Sequence, residues 1–438
     1  MPNKLEVGVP RIGRLVDFNE STPQLTVVLT RVEDDITLTI PWDERDSPYA
    51  RWFVGSDLLS AGEASTGAPT QLLFSDVHGH VLLIGCYARG YHANAFGPGQ
   101  GTVHARYAIL QADGKASYES IHGLQSSVTG LRRWLGVTSW HGTITRPDTR
   151  IILESVNQDP IDFGNFGDTH LMAVPSAGWS QNFAKEAEQE ITDVLRLKTI
   201  TAEPQAWEAH LDVHRAMRDL LVISSWQQQA VHPVLAMRTD EGQLVRDGKE
   251  PDYLWRNLVS ARQEPSVELT ATTPHLIRYS DLGIDGIARF IQLRTDYQRA
   301  LKPILSSNAL RDVTPETLLA HTIPGLEALA YLLDLKGGME EPKAAYRPLR
   351  QRFDRILADV QSCLPFSGET WKNNTVDAYN GVKHANKPTL DEVDILNAWR
   401  ESVLVVRAWV AVELGIEKLA VRSRLEEDPQ RHGWVKIG

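Results

Sequence analysis

Cysteine is scarce in this 438-residue chain, which contains only Cys86 and Cys363. Two cysteines so far apart in sequence form neither a disulfide framework nor the four-ligand cluster of a structural zinc site. This scarcity is typical of a protein from a reducing compartment. The sequence therefore predicts a cytoplasmic protein, and we expect neither a metal nor another cofactor.

Long apolar runs and an excess of positive charge are also missing. The first six residues lack the apolar core of a signal peptide, and the longest apolar runs, such as 81–86, are too short to span a bilayer. With 45 basic and 56 acidic residues, the net charge is −11, which argues against non-specific coating of nucleic acid. We expect no membrane contact, and any RNA must bind in a local basic groove.

The first part of the chain reads as β-structure. Short β-branched or alternating runs are separated by Gly, Pro, Asn and Asp, at 24–29, 36–40, 71–74 and 80–84. Many short strands without intervening helices predict an antiparallel sandwich over 9 to about 175. The stretch 184–197 fits a helix and a strand equally well.

Helical periodicity dominates the rest of the chain. The spacing of Leu211, His214, Met217 and Leu221 predicts a helix over 210–223, followed by an extended segment over 233–238. From about Ser280 the pattern is helical, and an antiparallel bundle is the economical architecture. Apolar stripes mark two helices, at Leu349, Phe353, Ile356, Leu357 and Val360, and at Leu396, Trp399, Val403, Val406 and Val410 after a capping box at 389–392.

These patterns predict an α+β multidomain protein. The expected division is a β-rich domain over 1–205, a mixed α/β extension over 206–275, a helical domain over 276–425 and a tail over 426–438.

The hexad Tyr379-Asn380-Gly381-Val382-Lys383-His384 lies in the helical region. On a continuous helix, Tyr379, Asn380, Lys383 and His384 would fall within an arc of about 140°. RNA scission by the 2′-hydroxyl needs an acid or base near neutral pH and a cation beside the phosphorane, which His384 and Lys383 could supply. In the alternative reading, His384 caps or packs a helix and Lys383 is a solvated charge.

The hexad and the preceding segment 324–329 resemble the HEPN domain of ApeA-type proteins, a prokaryotic family implicated in abortive defence against phage. The segment 128–136, a strand followed by Gly-Leu and Trp-Leu-Gly, is similar to the ApeA N-terminal domain. The opening 8–15 and the run 221–235, with a buried-looking Trp226 and a turn at 231–233, fit the same pattern.

The resemblance implies a metal-independent endoribonuclease that cuts RNA and works as a homodimer through its HEPN domain, with a phage-derived trigger acting on the N-terminal domain. It implies His384 as acid and base, Lys383 as the cation beside the phosphate and Asn380 as the orienting group. Tyr379 would line the RNA path, and we add Lys387 and Arg350 as RNA-binding residues.

One departure from the family pattern sustains a second hypothesis. HEPN ribonucleases usually carry Arg at the place of Tyr379, and Tyr is neutral at pH 7. Lys383, one turn away, could replace the missing charge. Alternatively, the bundle is catalytically inactive and binds RNA or a phage component as a sensor or dimerisation scaffold.

Three other motifs have competing interpretations. The segment 76–80, Asp-Val-His-Gly-His, fits a metal site or, more simply, a hairpin turn. The loop 97–101 lacks the glycine spacing and helix of a phosphate cradle, which favours an ordinary loop. The basic stretch Lys343, Arg347, Arg350, Arg352 and Arg355 fits an RNA groove and a solvated helix face paired with Asp354 and Asp359 equally well.

Overall fold

A computed structural model describes residues 3–44, 47–54, 65–94, 98–145, 150–156, 158–181, 189–244, 252–270, 272–388 and 390–436. Its strands are β1 (Arg11–Val16), β2 (Leu25–Val32), β3 (Asp35–Trp42), β4 (Gln71–Asp76), β5 (Gly79–Ile84), β6 (Tyr87–Ala93), β7 (Gly99–Ala105), β8 (Tyr107–Leu110), β9 (Ser120–Val128), β10 (Trp140–Thr145), β11 (Arg150–Ser155), β12 (Ile161–Phe166), β13 (Thr169–Gln181), β14 (Gln189–Ala206), β15 (Val231–Met237), β16 (Gln243–Leu244), β17 (Asp252–Tyr253) and β18 (Trp255–Ser260).

Fourteen of these strands form one antiparallel sheet, in the order β12-β13-β14-β9-β15-β18-β8-β5-β4-β1-β2-β3-β7-β6. The predicted β-rich region and its four strands at 24–29, 36–40, 71–74 and 80–84 are confirmed. The pairing differs from the predicted sandwich, because β18 pairs with both β15 and β8 and so joins what would be two sheets.

The middle of the sheet is covered on both faces. Along β4, Leu72 and Phe74 belong to one apolar core, whereas Leu73 between them belongs to the other. Alternate side chains of a strand point to opposite faces, so both faces are dry here. The first core is enclosed by strands β1 to β8 of this single sheet, which must therefore curl around it.

Two segments whose structure the sequence left ambiguous or predicted as a turn are strands. The ambiguous stretch 184–197 is strand β14 from Gln189 onwards, and 182–188 lies outside the described residues. Pairing with β13 along twelve residues and with β9 on the other side selects the strand. The segment 231–233, expected to be a turn, is the start of β15 instead, and its register shifts between Pro233 and Leu235 because proline cannot donate to the ladder.

The helices are α1 (Leu131–Leu135), α2 (Trp207–Ser225), α3 (Tyr279–Asp296), α4 (Gln298–Ala309), α5 (Pro315–Lys336), α6 (Glu341–Ala345), α7 (Leu349–Val360), α8 (Gly368–Lys383), α9 (Glu392–Glu413) and α10 (Lys418–Glu427). The predicted helices over 210–223 and 349–360 correspond to α2 and α7. The expected helical region after about Ser280 is confirmed.

Among the described residues, helix α5 is long and apolar enough to cross a membrane by length and composition alone. In this structure α5 packs against α4, α7, α8 and α9. Helix α9 is capped by Asp391, whose carboxylate accepts the Val393 N–H at 2.9 Å, whereas Thr389 of the predicted capping box lies outside the described residues.

The sheet and the helical bundle share one apolar core. A single cluster of buried side chains runs from Leu124 and Leu171 in the sheet, through Leu221 in α2, to Val403 and Trp409 in α9. Contact across this junction is also polar, since buried Arg407 of α9 donates to the Ile223 carbonyl of α2 at 2.7 Å. Helix α2 packs against β9 and β14 of the sheet and against α3 and α4 of the bundle, and α3 also packs on β12.

Candidate functional site

The hexad lies at the C-terminal end of α8. The helix begins at Gly368, where the Ser367 hydroxyl accepts the Thr370 N–H at 3.2 Å. Trp371, fully buried, stacks on Phe353 of α7 with ring centroids 4.9 Å apart. This anchoring fixes the first turns of α8 and leaves its last turn at the surface.

The helix ends one residue before the hexad does. Lys383 is the last helical residue, and His384 has φ −123° and ψ 112°, although its N–H still bonds to the Asn380 carbonyl at 2.9 Å. Tyr379, Asn380 and Lys383 therefore share a helical side as predicted. His384 lies outside the helix, because its backbone is extended and the chain leaves the helix axis there towards 385–388.

Cationic and titratable groups stand free at this end of the helix. Lys383, His384 and Lys387 are exposed, and none of their side chains forms an ion pair or hydrogen bond with the residues that the structure describes. The Lys387 N–H donates to the His384 carbonyl at 2.9 Å, which holds the two residues in one turn. Two ammonium groups and an imidazole are therefore exposed within the segment 383–387.

Tyr379 has a different environment from the arginine expected at its place. It is half-buried, and burial together with the nearby Glu327 carboxylate raises the pKa of its hydroxyl, so the ring stays neutral. The Lys383 ammonium lies 5.5 Å from the centre of this ring, at cation–π distance. Half-buried Asn380 completes the cluster.

Arg350 is already paired. Its guanidinium, on α7, bonds to Asp377 of α8 at 2.7 Å and also to Asn373, so its charge is largely compensated before any RNA arrives. Arg352 likewise pairs with Glu327 at 3.5 Å. Neither arginine stands free to replace the cation missing at Tyr379.

The other cations of the basic stretch are also paired. Every cation in it has a carboxylate partner, which favours the solvated and paired helix face over an open RNA groove. The pairs are Lys343–Glu340, Arg347–Asp334, Arg350–Asp377, Arg352–Glu327 and Arg355–Asp359, whereas Asp354 pairs with Lys372.

The segment 76–80 forms the hairpin turn between β4 and β5, with Asp76 opposite Gly79. Asp76 receives two bonds from the buried Arg11, at 2.6 and 2.8 Å. Burial would raise the pKa of Asp76, but the bonds from Arg11 and from the His78 N–H outweigh burial and lower it. Its carboxylate therefore serves the fold. In the loop 97–101, residues 99–101 belong to β7, and Gly97 lies outside the described residues.

Comparison with known families identifies the larger part of the chain. The sequence profile of the family described as ApeA N-terminal domain 1 matches residues 16–290, more than half of the 438-residue chain. The chain belongs to this family. No curated protein and no solved structure matches it.

The match confirms part of the resemblance seen in the sequence. The ApeA N-terminal domain extends from the end of β1 into α3 and so includes the sheet and α2. Its family suggests a role in anti-phage defence. The hexad lies outside the matched residues, so the HEPN resemblance of α8 stays a prediction.

The segment 128–136 that carried the resemblance lies within the ApeA N-terminal domain. Strand β9 ends at Val128, and α1 is bounded by Gly130 and Gly136, with φ of 77° and 70°. Trp134 is buried and donates its indole N–H to the Ile277 carbonyl at 2.8 Å. The motif thus joins the sheet to the chain entering α3.

A buried histidine relay, which the sequence did not reveal as such, crosses the same domain. His210 Nε2 lies 3.1 Å from the Ile121 carbonyl, which can only accept, so His210 Nδ1 accepts from the Thr199 hydroxyl at 3.0 Å. Thr199 then accepts from His214 Nε2 at 3.1 Å, and Ser126 donates to His214 Nδ1 at 2.7 Å. Burial lowers the pKa of both imidazoles, so both rings are neutral, and this direction of donation then follows, with the Leu124 carbonyl a more distant alternative acceptor for the Thr199 hydroxyl at 3.4 Å. Because both are fully buried, the relay is structural rather than catalytic.

Proposed function

We propose that this chain is an anti-phage defence protein that acts in the cytoplasm as a homodimer, and whose HEPN-like helical region cleaves RNA without a metal. Membership of the ApeA N-terminal domain family supports the defence role. The observation that carries the RNA chemistry is the exposed end of α8, where the side chains of Lys383, His384 and Lys387 form no ion pair or hydrogen bond with the described residues.

In the proposed reaction His384 moves protons and Lys383 steadies charge. The imidazole takes a proton from the 2′-hydroxyl, whose oxygen attacks the adjacent phosphorus, and the resulting imidazolium gives that proton to the departing 5′-oxygen as the P–O5′ bond breaks. The ammonium lies beside the negative phosphorane. Asn380 orients His384 or the scissile group, while Tyr379 and Lys387 lie along the RNA path, and Arg350 contributes only if RNA displaces Asp377.

The test is RNA cleavage by the purified full-length chain in EDTA. Wild type and His384→Ala are assayed on tRNA and mRNA, with His432→Ala as control because it removes another exposed imidazole. We expect His384→Ala to lose about 10²–10⁴-fold in rate, the contribution of a positioned acid or base, and His432→Ala to match wild type. The products should carry 2′,3′-cyclic phosphates.

Two results would refute the nuclease. One is equal cleavage by wild type and His384→Ala. The other is no cleavage by wild type even in lysates of phage-infected cells that supply the trigger.

A second candidate is a non-catalytic sensor or dimerisation scaffold that binds RNA or a phage component. The neutral Tyr379 beside Glu327, where a permanent cation is expected, favours it. RNA that binds wild type without being cut, and that Lys383→Ala releases, would select this candidate.

A further inference from the structure

A cavity of about 1060 Å³ lies between the sheet and the helices, away from the hexad. We call it the junction cleft. The sheet contributes Asp35, Tyr87 and Tyr107, and the helices contribute Arg294, Lys302 and Asn308. Its size is at the upper end of small-ligand sites, and its walls belong to both halves of the molecule.

Most carboxylates in the junction cleft are already neutralised. Asp219 bonds to Arg218 at 2.8 Å and to Arg294 at 2.7 Å. Glu264 bonds to Arg218 at 3.1 Å and accepts the Val231 N–H at 3.1 Å. These groups form a closed network that spans α2, α3 and the segment after β18.

The cations that remain are Arg106, Arg262 and Lys302. All three are exposed, line the cleft and have no ion-pair partner among the described residues. Of the lining carboxylates, Asp34 lacks an ion-pair partner among the described residues, and Asp35 bonds only to the His104 imidazole at 2.9 Å, so three cations stand against two uncompensated carboxylates. Positive groups therefore predominate among the unpaired charges, although the whole chain carries −11.

The backbone of Arg106 is held by two hydrogen bonds. Its N–H bonds to the Ile84 carbonyl and its carbonyl accepts the Ala261 N–H, both at 2.9 Å. Its side-chain stem passes over Gly85, where an added Cβ would lie 3.1 Å from it. A cation fixed at its base loses less entropy when it binds an anion.

Aromatic rings stand beside these cations. Tyr87 is 46% exposed although it stacks on His104, with centroids 5.4 Å apart. Tyr107 stacks on Trp207 at 4.5 Å. The exposed ring of Tyr87 lines the same cleft as these cations and suits a ligand with both a π-face and phosphates, since bases stack on such rings.

We propose that the junction cleft binds a nucleotide. Its phosphates contact Arg106, Arg262 and Lys302, and its base stacks on Tyr87. The ligand would thus contact both the sheet and α4.

Isothermal titration of the full-length chain with ATP, GTP and inorganic tripolyphosphate in EDTA tests this site. The charge reversal Arg262→Glu with Lys302→Glu should raise the nucleotide Kd at least about tenfold. The control pair Lys4→Glu with Lys418→Glu, two exposed lysines outside the cleft, should not change it. Tyr87→Ala should weaken ATP or GTP about fivefold or more and leave tripolyphosphate unchanged.

Each contrary outcome overturns the proposal. The first is that wild type binds neither ATP nor GTP, and the second is that the control pair weakens nucleotide binding as much as the charge reversal in the cleft does. The third is that tripolyphosphate binds as tightly as the nucleotides and Tyr87→Ala leaves the nucleotide Kd unchanged. Tighter binding of a polyglutamate peptide than of ATP would assign the cleft to an acidic protein segment instead. Melting curves of every variant show whether it is folded.

Discussion

His214 and His384 show how environment separates two side chains of the same type. His384 is exposed at the end of α8, whereas His214 is fully buried between Ser126 and Thr199. The spacing of His214 with Leu211, Met217 and Leu221 predicted the helix but not the surroundings of its ring. Its partner Ser126 is 88 residues away in sequence, so no local pattern could name it.

Burial makes His214 a source of acid sensitivity. Burial, with a smaller effect of His210, lowers the pKa of His214 to about 3. In the unfolded chain a histidine has a pKa near 6.5, so below that pH the unfolded state binds a proton that the folded state does not. The stabilisation is complete above about pH 6.5 and is lost as pH falls towards 3.

We therefore predict that the free energy of unfolding falls by up to about 1.4 kcal/mol per pH unit from this one group below pH 6.5. Urea titrations between pH 7 and pH 4 measure it. His214→Leu should be less stable at pH 7, because Ser126 and Thr199 lose a partner, yet should show a shallower slope. His141→Gln, at an exposed histidine, should keep the wild-type slope. An unchanged slope in His214→Leu would contradict the prediction.

Close approach between helices α4 and α5 depends on one residue. A Cβ at Gly325 of α5 would lie 2.6 Å from the Ala300 carbonyl oxygen and 2.7 Å from Ile304 Cγ1. The first obstacle is backbone and cannot swing away. Without Gly325, the two helices would have to separate.

Gly325→Ala is predicted to destabilise the protein by about 1–3 kcal/mol through overpacking, although alanine is the better helix former. Ala320→Gly, on the exposed side of the same helix, should cost about 1 kcal/mol from propensity alone. Thermal melting of both variants compares the two effects. A gain in stability for Gly325→Ala would show that the helices are not in close contact there.

Local periodicity found the elements, but not how they join. The strands β2 to β5 and the helices α2 and α7 were predicted because the sequence of each element has an alternating or 3.6-residue apolar pattern. The joining of the sheet through β18 depends on partners from distant segments, β15 and β8. The pairing of Arg350 with Asp377 could not be predicted either, because Asp377 lies 27 residues further along the chain.

Across the whole molecule, Arg407 links three parts of the fold. Although only 1% exposed, it donates from α9 to the Ile223 and Ser224 carbonyls of α2, at 2.7 and 3.0 Å. It also pairs with buried Asp428 beyond α10, at 2.8 Å. A buried charge of this kind is tolerated only while all its partners are present.

The helical region is consequently predicted not to fold alone. A fragment over 276–438 would expose the core that it shares with α2 and would leave Arg407 without Ile223 and Ser224. Arg407 keeps its pair with Asp428 in this fragment, so the larger loss is the apolar burial against α2, at about 25 cal/mol per Å². We expect this fragment to bind the dye ANS and to melt without a cooperative transition, and co-expression with 1–275 should restore cooperativity. A soluble fragment with a sharp melting transition would show that the bundle is an independent domain and that the shared core is dispensable.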